Sequence, residues 1–137
     1  MSLYQDIRGA LQTKLAAVSG VPQLVYEGFA YEPVIGTPFC VCQILPIYSR
    51  PATLGPAHLV WHRGTFELAL VYPSGRGTGT AEAMADTIKA AFTADVTATQ
   101  NNVTVRFRHA ERRPIIVDTP WIRVPVSIAW YLYTETY

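Results

Sequence analysis

The chain has 137 residues, 50% of them hydrophobic and 15% charged, with a formal net charge of +1. That length fits one domain spanning residues 1–137, and the apolar content excludes a disordered chain. A charge so near zero supplies no long-range field to gather nucleic acid or an anionic membrane, and a surface so lean in charge leaves apolar area to face a partner. No apolar run approaches the ~18 residues that span a bilayer, and the N-terminus lacks the charged start and unbroken apolar core of a signal peptide. The expected setting is a cytosol.

The first predicted element is a helix. Ser2 and Gln5 have capping-box spacing, and Leu3, Ile7, Leu11, Leu15 and Val18 recur every three or four residues as one apolar stripe, which Gly20 and Pro22 end. Gly9 inside it costs about 1 kcal/mol relative to alanine, so packing of the stripe must supply what propensity does not. A short strand is expected over Leu24 to Tyr31, closed by Pro33, Gly36 and Pro38. The next, Phe39 to Ile47, is apolar on both faces, with Cys40, Cys42 and Ile44 opposite Phe39, Val41, Leu45 and Ile47, and so belongs inside a sheet. Pro46 should mark where its pairing ends or bulges. Cys40 and Cys42 share one face, and a disulfide in so small a ring would strain a strand, so two buried reduced thiols are expected.

After a loop with Pro51, Gly55 and Pro56, the chain is extended from His58. From Gly64 it alternates cleanly, with Phe66, Leu68, Leu70 and Tyr72 on the core side and Thr65, Glu67, Ala69 and Val71 opposite. A glycine loop follows, Ser74-Gly75-Arg76-Gly77-Thr78-Gly79. It leads into a second amphipathic helix carrying Ala81, Met84, Ala85, Ile88, Ala91 and Phe92, with Thr80 as N-cap and Glu82 in its first turn. Asn101-Asn102 predicts a turn into a strand with Val103, Val105 and Phe107 inward. The last strand, Trp121 to Leu132, alternates Ile122, Val124, Val126, Ile128, Trp130 and Leu132 against Trp121, Arg123, Ser127, Ala129 and Tyr131. Pro125 within it demands an edge or a bulge. The expected fold is α+β, a mostly antiparallel sheet of about five strands with two helices packed on one face, in the order α-β-β-β-α-β-β.

The glycine loop has the outline of a phosphate cradle but not its chemistry. A Walker loop needs a lysine before the Ser or Thr at the helix start, and Gly79 is followed directly by Thr80-Ala81. A dinucleotide fingerprint needs a parallel βαβ unit and an acidic residue about 20 residues on, and neither is visible. No cofactor is expected. His58 and His62 lie four apart on a strand, roughly 13 Å, too far to share an ion, and the two cysteines have no partner pair at zinc spacing, so no metal is expected. Glu67, Glu82, Asp86, Glu111 and Asp118 form no visible acid/base pair. The single basic concentration, Arg106-Phe107-Arg108-His109-Ala110-Glu111-Arg112-Arg113, reads as a solvated strand edge or as arginines meeting a neighbouring subunit. A nucleic-acid module using Arg106, Arg108, Arg112 and Arg113 is the alternative.

Taken together, the N-terminal helix, the Arg63-Gly64-Thr65-Phe66-Glu67-Leu68-Ala69-Leu70-Val71-Tyr72-Pro73 strand, the glycine-rich link into an alanine-rich helix and the final Trp121 to Tyr133 strand resemble the tail-terminator and tail-completion proteins of long-tailed bacteriophages. The resemblance implies a structural protein rather than an enzyme. It implies a chain that caps the tail tube as a ring, expected to be a hexamer, and that meets the tail-tube protein and a head-tail connector protein. The expected location is the virion tail, with the bacterial host cytoplasm during assembly.

A ring needs heterologous contacts, and these need aromatic or apolar surface beyond the core. Tyr48, Trp61, Trp121, Tyr131 and Tyr133 serve either that surface or the core. The region expected to form subunit or tube contacts comprises Tyr48, Arg50, Gly75, Arg76, Gly77, Arg106, Arg108, Arg112, Arg113 and Trp121. The Ser74 to Gly79 link is expected to be a mobile connection that adapts when a ring closes.

Overall fold

A computed structural model describes residues 3–51, 59–75 and 77–135, without the side chains at 47, 48, 51 and 135. The elements run α1 (Leu3–Ala16), β1 (Gln23–Val25), β2 (Phe39–Pro51), β3 (Leu59–Pro73), α2 (Gly79–Ala91), β4 (Thr97–Gln100), β5 (Val103–Arg112), β6 (Ile116–Asp118) and β7 (Trp121–Glu135). The described strands form one sheet in the order β1-β2-β3-β7-β5-β4, with β6 also paired to β7. The α+β expectation holds, and the strand count and sheet type need correction: seven strands are described, and the sheet is mixed because β1 lies parallel to β2.

The two strands missing from the sequence reading are β4 and β6, of four and three residues. Pieces so short carry too little alternation to register as strands; the longer neighbours they pair with define them. The expected strand over Leu24 to Tyr31 shrinks to Gln23–Val25, and residues 26–38 become a crossover to β2. A parallel neighbour cannot be reached by a tight turn, so an intervening arm of this kind is required.

Long strands β3 and β7 form the centre, paired in unbroken register from Leu59↔Glu135 to Pro73↔Trp121. Their inward residues Phe66, Leu68, Leu70, Ile122, Val124, Val126, Ile128 and Trp130 meet Ile7, Leu11 and Leu15 of α1 and Ala81, Ala85 and Ile88 of α2 in one core. Both helices therefore cover the same face. Cys40 and Cys42 are buried free thiols on that side, and the hydrogen-bonding influence of the Cys42 side chain, followed by burial, pushes the Cys40 thiol well up.

The two prolines inside the long strands, Pro46 and Pro125, as distinct from Pro51 and Pro73 at strand ends, sit where pairing is interrupted on one side. The β2–β3 register shifts between Pro46 and Tyr48, as expected. Pro125, however, is on a central strand rather than an edge. Its carbonyl accepts from Arg113 N–H on the β5 side, and its ring nitrogen faces the gap between the end of β5 pairing at Val126 and the start of β6 pairing at Arg123. No ladder hydrogen bond is lost there.

Helix ends differ in detail from the sequence reading. Ser2 lies outside the described residues, so its capping box has no structural counterpart here. Helix α1 stops at Ala16, and Val18 packs against the core from beyond the helix. Thr78, not Thr80, caps α2; its hydroxyl donates to Glu82 Oε1 at 2.7 Å instead of accepting from a backbone N–H. The expected Asn101-Asn102 turn is present, both residues holding positive φ (51° and 67°), the pairing a type I′ hairpin between β4 and β5 requires.

Candidate functional site

With both helices on one side, the opposite sheet face carries no helix. Its centre is Glu67 opposite Ser127, whose hydroxyl donates to Glu67 Oε1 at 2.9 Å. The two ends of this open face have different chemistry.

At the first end, where β2 and β7 begin and β3 stops, Phe39 meets Tyr31 at a tilt and Trp121 edge-on, with ring centroids 5.0 and 5.4 Å apart. Phe39 pairs in register with Val71, and this aromatic cover explains why Val71 is buried on an otherwise open face. The 26–38 arm is thereby pinned to the sheet by Tyr31, while its Phe29, Val34 and Ile35 project outward. Glu27 secures the arm's start. Its carboxylate accepts from Ile44 N–H at 2.7 Å and from Arg8 at 2.9 Å. Burial alone would raise the Glu27 pKa, but the Ile44 N–H and the Arg8 guanidinium outweigh it and hold the carboxyl below its ordinary value. Because Ile44 is past the end of β1 and Pro46 has no N–H, the outer edge of β2 offers little to an added strand.

At the second end, Trp61 of β3 is in register with Arg50 and Tyr133, and Arg63 with Tyr131, which in turn pairs with Arg106. Trp61 and Tyr133 stack at 6.4 Å with ring planes 15° apart, and the Arg50 and Arg63 guanidiniums lie 5.3 and 5.9 Å from the Trp61 ring. Trp61, Tyr131 and Tyr133 line an open groove of about 410 Å³ with Phe107 and Arg108. Arg108 is the unpaired residue of a bulge between Phe107 and His109, on the outward side of β5 opposite the inward Phe107.

The residues expected at an interface thus fall into separate groups. Arg50, Arg106 and Arg108 gather at the groove, whereas Trp121, Gly75 and Gly77 belong to the arm end, up to about 40 Å away along β7. Gly75 and Gly77 both adopt positive φ, which the strand-to-helix turn demands. Arg112 faces Glu82 at 3.8 Å and Arg113 faces Glu111 at 3.9 Å, so these two spend their charge within the chain. Arg76 and the Tyr48 side chain lie outside the described residues. Sequence reading missed the arm's exposed apolar residues and the grouping of Arg50 with Arg106; Phe29 was hidden inside the presumed strand and Val34 and Ile35 among the prolines and glycine that close it, while the arginine grouping joins residues distant in sequence.

A Ser–His contact also emerges. Ser49 Oγ meets His62 Nδ1, Thr134 Oγ1 sits 2.8 Å from Nε2, and Tyr4 hydroxyl lies 2.9 Å from Ser49 Oγ. A nucleophilic serine needs a histidine free to pass its proton on and a group to orient that histidine. Here Nε2 is engaged by Thr134, and no carboxylate joins the chain of hydroxyls among the described residues, so the network fastens β2, β3, β7 and the start of α1 together. Among those residues no group of three or more His, Cys, Asp and Glu is placed to hold a metal, and no helix is long and apolar enough to cross a membrane.

Burial lowers the His62 pKa below its ordinary 6.5. Between the folded and unfolded values the unfolded chain binds more protons, so stability rises with pH through that window and is lost as pH falls below about 6.5. Glu27, also lowered, adds a second loss at lower pH, below its ordinary 4.5. Denaturant midpoints measured from pH 7.5 to 5 are expected to fall for the native chain and to change less for His62→Gln. Equal pH profiles for the two proteins would contradict the burial argument.

The fold is that of a small α+β protein with both helices on one face of a mixed sheet and two chemically different ends on the other. Residues 6–130 match the phage tail terminator protein family, and the chain belongs to that family. It is a family of tail structural proteins, not of enzymes, which accords with the Ser49–His62 geometry. One solved chain is similar at TM-score 0.71 and 21% identity, covering 96% of this chain and 94% of its own. Another, from the virion of a native gene transfer agent particle, is similar at TM-score 0.64 and 16% identity, covering 97% and 98%. At these identities the likeness is one of fold. A search of the curated proteins gave no match.

Proposed function

We propose that this chain caps the growing phage tail tube as a closed ring, hexameric as the family resemblance implies, ending tube polymerisation and preparing the tail to join a head. The observation that carries the reading is the family match over residues 6–130. The fold is compatible with it. The two ends of the open sheet face differ in chemistry, and unlike surfaces on one chain favour head-to-tail contacts, which close into rings when the rotation between copies permits. The tail-tube protein and a head-tail connector protein are the proposed partners, with assembly in the host cytoplasm. Arg50, Arg106, Arg108, Trp121 and the Gly75–Gly77 turn remain the proposed contact regions.

Adding the protein to tail extracts that lack a terminator is expected to produce tails of uniform length that join heads. Overlong tubes in its presence would overturn the proposal. A monomer in dilute solution would not decide it, because the tube end can supply part of the association energy. Nucleic-acid binding by Arg106, Arg108, Arg112 and Arg113 is less well supported, since the last two pair with Glu82 and Glu111 respectively within the chain.

A further inference from the structure

We infer that the 26–38 arm of one copy docks into the arginine–aromatic groove of the next, a contact that deepens the ring reading above and rests on it. Phe29 is 74% exposed and Ile35 79%, with Val34 beside them. Isolated exposed apolar residues are ordinary, but three within seven positions on one projecting arm form a patch. The arm's only charges are acidic, Glu27 and Glu32. Glu27 is committed to Arg8 and Ile44 inside the chain, whereas Glu32 is exposed and has no ion pair among the described residues.

The groove is the counterpart in both shape and charge. Trp61, Tyr131 and Tyr133 supply aromatic walls, Tyr133 being 51% exposed, and Arg108 stands at the rim with Arg106 on the adjoining row. Among the described residues neither Arg106 nor Arg108 pairs with a carboxylate, unlike Arg112 and Arg113. A half-open aromatic groove bordered by unneutralised guanidiniums suits an apolar segment carrying one carboxylate, which the arm provides as Phe29, Glu32 and Ile35. Aromatic residues and arginine are also the types enriched where interfaces derive their energy.

Geometry makes the contact intermolecular. The arm is fixed by Tyr31, Phe39 and Trp121 at the start of β7, and the groove is built from Tyr131 and Tyr133 near its end. Twelve strand residues separate them by up to about 40 Å, so an arm cannot fold back into its own groove. A surface at one end that complements a different surface at the other defines a heterologous contact, and repetition of it produces a ring or a filament. A nucleic-acid strand is disfavoured as occupant because two of the four arginines in the basic segment, Arg112 and Arg113, already face carboxylates of this chain and the net charge is +1.

The test uses the full chain bound to tube ends or concentrated until it multimerises. Ile35→Cys and Tyr133→Cys combined in one chain are expected to give, on mild oxidation, a ladder of covalent multimers; the native Cys40 and Cys42 are buried and should not contribute. Mixing the two single-cysteine variants should stop at cross-linked dimers. In addition, Glu32→Arg and Arg108→Glu should each weaken association about tenfold or more, and the double reversal should restore it. Multimers or capped tubes that neither cross-link nor respond to either reversal would overturn the arm contact while leaving the capping reading intact. A ladder from protein that fails to limit tail length would support the contact and overturn capping. Protein that stays monomeric in solution and on tube ends would overturn both. Salt-sensitive binding of a single-stranded oligonucleotide, abolished by Arg106→Ala and Arg108→Ala with multimers unchanged, would assign the groove to nucleic acid and overturn the proposal.

Discussion

Gly64→Ala is expected to destabilise the protein by about 3 kcal/mol or more, at or above the upper end of the range for overpacked cores, lowering Tm by roughly 10 °C. The strain does not come from backbone conformation. Gly64 sits on the core side of central strand β3, in register with Trp130 of β7, and a Cβ built on it would lie 2.5 Å from Trp130 Cζ2 and 2.5 Å from the Leu45 carbonyl oxygen. Neither neighbour can yield cheaply. Trp130 is fully buried within the core, and Leu45 O belongs to the backbone of β2. Gly9 is the useful control. Its added Cβ would also clash, but only with the outer atoms of the Gln100 side chain, which can swing away. Gly9→Ala should therefore be close to neutral, because relief of glycine's helix penalty of about 1 kcal/mol offsets the cost of moving Gln100. Thermal melts of the two variants beside the native protein make the comparison; a Gly64→Ala protein as stable as Gly9→Ala would refute the packing account.

Phe92→Ala should cost about 3–5 kcal/mol, the usual range for removing a fully buried phenylalanine. Phe92 caps the C-terminus of α2, its N–H donating to Lys89 O, and its ring is completely buried. The ring stands edge-on to Phe107 at 5.0 Å and to Phe66 at 6.3 Å, so one side chain joins α2 to both β5 and β3. Lys14 Nζ of α1 lies 5.8 Å from the same ring, adding a cation–π contact. The loss should appear first as local opening of α2, with faster amide exchange in residues 79–91 than in the β3–β7 pair. Unchanged exchange in α2 together with near-native stability would contradict this assignment.

Much of the fold is legible in periodicity. The stripe of Leu3, Ile7, Leu11 and Leu15, and the alternation of Phe66 to Tyr72 and of Ile122 to Leu132, each mark a surface that must leave water, and each is in the core. These patterns are local, so a single sequence displays them. The parallel β1–β2 pairing is not local. It depends on where three residues of β1 find a partner across thirteen intervening positions, and nothing in Gln23-Leu24-Val25 encodes parallel rather than antiparallel contact. Gly64 is similar: in sequence it looks like an ordinary break before a strand, and only the register that sets Trp130 across from it supplies the reason for a glycine there.

The candidate contact surfaces divide along the same line. Arginines in the 106–113 segment were conspicuous as a basic run, yet adjacency in sequence treated all four alike. The tertiary fold separates them: α2 brings Glu82 to Arg112, Glu111 remains beside Arg113, and the Phe107–His109 bulge leaves Arg106 and Arg108 near the aromatic groove. By itself, the sequence determined the helices, the long strands, their inward faces and the resemblance to tail-terminator proteins, because side-chain periodicity and chain order are written residue by residue. Only the tertiary structure decided which arginines of that segment meet carboxylates among the described residues and that the arm and the groove lie at opposite ends of one open face, because burial and strand register come from residues far apart in the chain.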